Sequence, residues 1–221
     1  MDGELRDRLL RAFRWVDPGP ASAHLVSDVS GWWRDPVILA GIGPALAGPF
    51  RTGGPTVVVA PESTGLLLGP LVAVALGVGF VPARKGVPAP GNATDGGPGH
   101  VGADGPDHAP AEGPDHGITG IFAGLDGRRT AEPTVWARTA PDHRGRSLAL
   151  GVRRRHLVPG DRVLLVDDWV ASGAQLRALY RLVTACGATP LGAAVVVADC
   201  RPELVGELRL RSLLTSADIE P

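Results

Sequence analysis

The chain has 221 residues, of which 44% are hydrophobic, and a formal net charge of -1 at pH 7. That length and apolar content suffice for a domain with a full core, and the charge provides no overall field to attract nucleic acid or an anionic membrane. Residues 66–81, the longest apolar stretch, are interrupted by glycine and proline and are too short for a membrane span. The charged N-terminus shows no signal peptide, and Cys186 and Cys200 are typical of buried free thiols. We therefore expect a cytoplasmic protein.

The first fifty residues predict two helices. Apolar residues recur at helical spacing over residues 4–15, and a Pro- and Gly-containing turn follows. A second helix is expected from about residue 35 to 47, with Pro36 in its first turn. We assign residues 1–50 to an N-terminal part and residues 51–221 to a core.

The core begins with a predicted strand-helix-strand unit. Residues 56–60 are β-branched and apolar, residues 66–76 are apolar on nearly all sides, and residues 78–83 form another apolar run. Such a unit joins two parallel strands through a helix packed on the sheet. A polar turn follows the first of these strands, and two cations follow the second.

Residues 86–117 have a different composition, with many Gly, Pro, Asp, Ala and His residues and almost no large apolar side chain. A near-repeat of eight residues places His100, His108 and His116 in phase. Regularly spaced His and Asp can ligate a transition metal, but Gly- and Pro-rich repeats are more typical of expanded linkers. We expect a disordered insertion here rather than a metal site.

The second half of the chain predicts a hairpin followed by further parallel strands. In chain order the predicted elements are strands at 134–139, 147–152 and 162–166, a helix at 174–185, and strands at 191–198 and 208–214. Alternating helices and continuous apolar strands favour an α/β fold, in which helices cover both faces of a mainly parallel sheet.

The strongest functional pattern is the strand, turn and helix over residues 163–179. Four apolar residues precede Asp167 and Asp168. The turn that opens the helix consists of Ala171, Ser172, Gly173, Ala174 and Gln175. Backbone N–H groups at such a turn and the positive end of the helix can bind a phosphate, while two carboxylates at the carboxyl end of a parallel strand can accept hydrogen bonds from ribose hydroxyls. The alternative is a strand that ends by chance with two acids before a helix cap.

This segment resembles the 5-phosphoribosyl 1-pyrophosphate (PRPP) signature of type I phosphoribosyltransferases, in which four apolar residues, two acids and a Thr-Gly-Gly-Thr-like loop follow one another. The resemblance implies that Asp167 and Asp168 hold the ribose hydroxyls as catalytic residues, and that the loop at 171–175 cradles the 5-phosphate. Ala174 stands where glycine is usual, and Gln175 replaces a hydroxyl residue with an amide.

Residues 57–85 resemble the stretch of adenine phosphoribosyltransferases that contains Glu-Ala-Arg-Gly and later Gly-Val-Gly-Phe-Val-Pro-Val-Arg-Lys. The resemblance implies a pyrophosphate-binding set made of Glu62, Ser63, Thr64, Gly65, Arg84 and Lys85. Thr64 replaces the arginine of that family, which removes a bidentate phosphate contact. For Arg84 and Lys85, a solvated strand end is the alternative.

Two weaker resemblances concern a flap and a hood. Asp142 and His143 lie in the predicted hairpin turn, where adenine enzymes carry Leu-Glu-Tyr-Gly in a flexible catalytic loop. The resemblance makes either residue a candidate to carry a proton to or from the base. The alternative is that both are ordinary turn residues. Residues 25–30 resemble the hood segment that helps to form the base pocket. Three tryptophans are candidates to stack on a base, although such rings more often lie in a core: Trp32, Trp33 and Trp136.

Together the resemblances imply the type I phosphoribosyltransferase fold with a small N-terminal hood and a hairpin flap. The implied enzyme is a pentosyltransferase of the adenine type, which transfers a 5-phosphoribosyl group between PRPP and a purine-like nucleobase. Mg²⁺ would bridge pyrophosphate and ribose without ligands from the protein, and a homodimer is expected. The alternative is a regulatory module that binds ribose phosphate with reduced turnover, which Thr64 and Gln175 favour. The sequence shows no helix-turn-helix for binding DNA.

Overall fold

The computed structural model describes residues 3–19, 25–86, 133–141 and 147–219. The described residues form six α-helices and nine β-strands. In chain order these are α1 (Gly3–Ala12), β1 (Arg14–Val16), β2 (Val26–Asp28), α2 (Ser30–Arg34), α3 (Pro36–Ala47), β3 (Val57–Pro61), α4 (Gly65–Leu76), β4 (Gly79–Gly86), β5 (Thr134–Arg138), β6 (Ala149–Arg153), β7 (Arg162–Val170), α5 (Ala174–Ala185), β8 (Thr189–Ala198), α6 (Pro202–Glu207) and β9 (Leu210–Thr215).

Seven of these strands form one sheet in the order β5-β6-β4-β3-β7-β8-β9. Four neighbouring pairs are parallel: β4 with β3, β3 with β7, β7 with β8, and β8 with β9. Strand β6 is antiparallel to both of its neighbours, β4 and β5. The structure therefore confirms the predicted α/β fold with a mainly parallel sheet, and it confirms the two strands of the predicted hairpin.

Each face of the sheet is covered by an apolar layer. On one face Leu165 of β7 packs in a cluster with Leu179 of α5. On the other face Leu164 belongs to a cluster with Ile42 of α3 and Leu68 of α4. Because neighbouring residues of β7 are buried on opposite faces, the strand is apolar at successive positions instead of alternating with polar ones.

The N-terminal segment differs from the prediction. Helix α1 ends at Ala12, and the residues that follow form β1, which pairs with β2. The helix predicted through residue 15 is therefore too long. Phe13 and Trp15 pack against Trp169 of β7, with ring centroids 6.2 and 6.1 Å away, and such tertiary contacts override local helical spacing.

Trp32 and the two cysteines lie among the described residues. Trp32 is fully buried and its Nε1 donates to the carbonyl oxygen of Leu9 at 3.0 Å, as expected of a core residue. Cys186 is a buried free thiol, whereas Cys200 is half-buried. Apart from Gly86, the predicted insertion lies outside the described residues. None of the helices in the described part is both long and apolar enough to cross a membrane.

Candidate active site

Three segments of the predicted site meet at one edge of the sheet. Strand β3 lies between β4 and β7, with Pro61 opposite Ala83 in β4 and Val59 opposite Leu165 in β7. In a parallel sheet the carboxyl ends of the strands lie at the same edge, and ligands bind at that edge. The turn after β3, the end of β4 and the acid pair of β7 therefore become neighbours, although they lie far apart in the sequence.

Asp167 and Asp168 lie inside β7 rather than after it. The strand was predicted to end at residue 166, but it continues because β7 stays paired with β8 as far as Val170 opposite Ala198. Asp167 is only 4% exposed, and Asp168 is half-buried. The backbone N–H of Asp168 donates to Asp167 Oδ1 at 3.0 Å, and that of Trp169 donates to Asp168 Oδ1 at 2.9 Å. These bonds orient both carboxylates.

The environment of Asp167 strongly disfavours its charged form. Burial raises the pKa of Asp167 well above its ordinary value, and the like charge of Asp168 raises it further. The positive charge of Lys85 has the opposite effect on this pKa, so the ammonium of β4 lies within electrostatic reach of the acid. A buried carboxyl with a perturbed pKa beside a specific cation is typical of a functional site.

The turn between β7 and α5 has the form expected of an anion-binding loop. Gly173 adopts a left-handed backbone conformation with φ of 74°, and α5 begins at the next residue. Ser172 Oγ accepts a hydrogen bond from the N–H of Ala174 at 3.3 Å. Ala171 and Ser172 are exposed to solvent. Because the first turn of a helix lacks intrahelical acceptors for its N–H groups, the start of α5 offers donors to an anion.

Gln175 differs from the hydroxyl residue that it replaces. Its Oε1 is buried and has no hydrogen-bond partner among the described residues. A buried acceptor without a partner is unfavourable, so a donor from a bound molecule would stabilise it. The predicted contact between Gln175 and a phosphate remains a prediction.

Helix α6 contacts this loop and the first turns of α5. A Cβ atom on Gly173 would lie 2.6 Å from Leu204 Cδ2. Arg177 Nη1 donates to the carbonyl oxygen of Ser172 at 3.1 Å, while Arg177 Nε and Nη2 donate to the two carboxylate oxygens of Glu207 at 2.7 and 2.6 Å. Sequence reasoning missed these contacts because it did not predict α6, although a proline in the first turn of this helix was an available signal.

The turn after β3 is bound to the end of β4. Glu62 N–H donates to the carbonyl oxygen of Ala83 at 3.0 Å, and Lys85 N–H donates to Glu62 Oε2 at 3.1 Å. Arg84 Nε lies 3.6 Å from the same oxygen. The peptide bond between Glu62 and Ser63 is cis. Contrary to the prediction, Arg84 and Lys85 lie within β4, because this strand continues in antiparallel pairing with β6.

The remaining residues of this turn lead directly into α4. Ser63 is exposed, Thr64 is half-buried and Gly65 is the first residue of the helix. A Cβ atom on Gly65 would lie 2.9 Å from Pro61 Cδ and 3.1 Å from Ala60 Cβ. The glycine therefore permits the close approach of β3 and α4, and it places a second helix N-terminus at the same edge of the sheet.

The N-terminal part borders this edge. Trp169, which contacts Phe13 and Trp15, directly follows the acid pair, so the paired strands β1 and β2 are anchored beside it. Trp169 was not among the predicted site residues. Asp142 and His143 lie outside the described residues, so their catalytic roles remain predictions.

Comparison with known proteins identifies the class. Residues 34–207 match the family model described as phosphoribosyl transferase domain. This span is more than half of the chain, and it includes the acid pair, the loop after β7 and the turn after β3. The chain belongs to the phosphoribosyltransferase family.

Several of its relatives within that family are adenine phosphoribosyltransferases. The protein of that name from Nocardioides sp. is 33% identical over 203 residues, which cover 89% of this chain and 86% of that protein. The one from Aliivibrio salmonicida is 27% identical over 213 residues, with 96% and 93% covered. A crystal structure of adenine phosphoribosyltransferase from Rhodothermus marinus shares the fold, with a TM-score of 0.65 at 24% identity and coverage of 97% and 99%.

A second solved structure has the same fold. It is the adenine phosphoribosyltransferase of Trypanosoma brucei in complex with AMP, pyrophosphate and ribose-5-phosphate, with a TM-score of 0.65 at 21% identity. The comparison covers 99% of this chain and 83% of that one.

Proposed function

We propose that this protein transfers a 5-phosphoribosyl group between PRPP and a purine base, with adenine as the base. The observation that supports this most strongly is the meeting of three groups at one sheet edge: the acid pair Asp167 and Asp168, the loop at 171–175, and the turn at 62–65 with Lys85 beside it. Membership in the phosphoribosyltransferase family and the adenine-type relatives support the same activity.

The loop and the acid pair would hold the ribose 5-phosphate part of the donor. The 5-phosphate accepts hydrogen bonds from backbone N–H groups at residues 171–175, where the N-terminus of α5 adds a favourable partial charge. The two ribose hydroxyls donate to Asp167 and Asp168. These contacts fix the ring so that its C1′ atom faces the incoming base.

The reaction breaks the bond from C1′ to the pyrophosphate oxygen and forms a bond from C1′ to a nitrogen of the base. The ribose ring becomes positively charged as the leaving group departs, and the carboxylates of Asp167 and Asp168 favour that charge. Lys85 and Arg84 stabilise the negative charge that develops on the departing pyrophosphate. The base nitrogen loses a proton, and we assign its acceptance to Asp142 or His143 in the flap.

The site also fits Mg²⁺ that arrives with the substrate. Among the described residues there is no cluster of three or more His, Cys, Asp or Glu side chains able to hold a metal ion. Mg²⁺ commonly keeps several waters and binds through substrate phosphates and one or two carboxylates. Asp168, half-buried at the sheet edge, offers such oxygens. When bound, Mg²⁺ would neutralise charge on the pyrophosphate.

A steady-state assay tests this function against the regulatory alternative. Purified protein with PRPP, Mg²⁺ and adenine should release pyrophosphate, and the double variant Asp167→Asn/Asp168→Asn should release far less. Hypoxanthine and guanine serve as competing bases. Binding of PRPP without release of pyrophosphate with any base would refute the enzyme and support the regulatory module.

The variant Thr64→Arg tests the departure from the family pattern. It restores a cation at the turn after β3, so the KM for PRPP should fall or turnover should rise, because a bidentate phosphate contact returns. Thr64→Gln, which has similar bulk without charge, is the matched control. Equal kinetics in both variants would mean that position 64 does not touch pyrophosphate.

The proposal includes a homodimer formed through α4. This helix contains no charged residue, and its outer face exposes Leu67 at 51% and Val74 at 82%. Outer helix faces are usually polar, and two copies related by a twofold axis would cover this stripe with itself. Val74→Glu should convert the dimer to a monomer in light scattering, whereas Val37→Glu on α3 should not. A monomeric wild-type protein would refute the assignment.

The cytoplasmic location remains a prediction from the sequence.

A further inference from the structure

We infer that Arg177 is a positioning residue for the 5-phosphate loop and that Glu207 on α6 holds its guanidinium in place. This rests on the proposed function, because the loop in question is the one that would bind the phosphate of the donor. Neither residue belongs to the signature at 163–175. Both are placed by the packing of α6 against the first turn of α5.

The guanidinium of Arg177 uses its donors on two different partners. Nε and Nη2 bind the two carboxylate oxygens of Glu207 at 2.7 and 2.6 Å, which defines the plane of the group. Nη1 then reaches the carbonyl oxygen of Ser172 at 3.1 Å. The bidentate contact thus sets the direction in which the third nitrogen approaches the loop.

Holding this carbonyl also orients a donor of the phosphate site. In a planar trans peptide unit, the C=O of Ser172 and the N–H of Gly173 point in opposite directions. Because Arg177 binds this carbonyl, the N–H of Gly173 points away from the guanidinium. Leu204 of α6 fills the space beside Gly173 at 2.6 Å from where a Cβ atom would lie, which limits movement on that side.

The alternative is that Arg177 itself binds the phosphate. The existing ion pair opposes this, because Glu207 occupies two of its nitrogens. Their mutual hydrogen bonds also lower the pKa of Glu207 and raise that of Arg177. The two roles predict opposite results when Glu207 is shortened.

The ion pair is accessible enough to be changed without unfolding the protein. The side chains of Arg177 and Glu207 are 41% and 48% exposed, and exposed pairs contribute little to stability. A comparable pair exists on α1, where Arg8 Nε and Nη2 both lie 3.0 Å from Glu4 Oε1. Glu4→Asp is therefore a matched control for Glu207→Asp, since each variant keeps the charge and shortens the side chain by one methylene.

The test measures ribose 5-phosphate affinity by calorimetric titration, KM for PRPP by steady-state kinetics, and Tm. We expect Arg177→Met to weaken ribose 5-phosphate binding about tenfold and Glu207→Asp about threefold, because the loop loses its preorganisation. The KM for PRPP should rise in proportion, while kcat and Tm stay near wild type. Glu4→Asp should change none of these values.

Three results would overturn the inference. Unchanged affinity in both variants would show that the loop needs no support, and tighter binding by Glu207→Asp would show that a released Arg177 binds the phosphate directly. A parallel fall of Tm and affinity would indicate a general weakening of the fold. These results differ from failure of the proposed function, in which wild-type protein would bind neither ribose 5-phosphate nor PRPP.

Discussion

Replacing Asp167 with asparagine should make the free protein more stable while weakening its binding of PRPP. Asp167 is 4% exposed, and burial together with the charge of Asp168 raises its pKa in the folded state. Asparagine has nearly the same shape, and its Oδ1 can still accept the hydrogen bond from the N–H of Asp168. The variant therefore removes a buried ionisable group without removing that backbone contact.

The sign of the stability effect follows from the two states. In the unfolded chain Asp167 ionises near its ordinary pKa of about 3.9. Above that pH the unfolded state releases the proton more readily than the folded state, so the carboxyl destabilises the fold, and it does so increasingly until the pH passes the raised pKa. Below the ordinary pKa both states are protonated and the effect vanishes. The gain from Asp167→Asn should therefore be largest at neutral or higher pH and should shrink in acid.

Calorimetry across about pH 4 to 8 measures this gain, since each 1 kcal/mol shifts Tm by roughly 2–4 °C in a chain of this size. Asp168→Asn, which removes a secondary cause of the shift, should give a smaller gain. Titration with PRPP and Mg²⁺ should show at least about a tenfold loss of affinity for Asp167→Asn, about 1.4 kcal/mol, because a charged acceptor for a ribose hydroxyl is gone. A lower Tm at neutral pH, or unchanged affinity, would refute the reasoning.

Three further predictions concern Asp167, the loop at 171–175 and the insertion. PRPP affinity should increase as pH rises towards the raised pKa of Asp167, and protons should be released on binding. Calorimetric titration in buffers of different ionisation enthalpy measures the number of protons released. An affinity that does not depend on pH, without proton release, would contradict the prediction. Gly173→Ala should lower the unfolding free energy in urea by about 1–3 kcal/mol and weaken ribose 5-phosphate binding. This loss of unfolding free energy should exceed the loss caused by Gly77→Ala. Both glycines have positive φ, but only Gly173 is crowded, by Leu204; equal losses would exclude that contact as a cause. Deleting residues 88–115 should change Tm little, because the free energy of closing a connecting segment changes by only about 0.6 kcal/mol for each doubling of its length. A large fall of Tm would show that the segment packs on the core.

The elements that sequence analysis located well are those whose signals lie in adjacent residues. Helix α5 was predicted at residues 174–185 and is found there, and α4 begins one residue before the predicted position. In both cases a glycine marks the helix end, Gly77 directly after α4 and Gly187 two residues after α5. Strand β3 was also recognised, because a short β-branched run between turns has few alternatives.

The errors fall where distant residues decide the conformation. Residues 13–15 have helical spacing but leave the helix to pack on Trp169, and β7 extends past its apolar run because β8 continues to pair with it. Helix α6 is short, and its only strongly buried residue is Leu204, so it carries almost no periodic pattern. Local propensity is weak compared with such tertiary contacts.

By itself, the sequence determined the residue types and spacing of the phosphoribosyl segment, because Asp167, Asp168 and the loop at 171–175 are contiguous. The tertiary structure decided what surrounds them. Strand pairing brings Lys85 within electrostatic reach of Asp167, and α6 brings Glu207 to Arg177. Burial and electrostatic surroundings depend on the packing of segments distant in the chain, so the raised pKa of Asp167 and the support behind the phosphate loop could not be predicted from any local pattern.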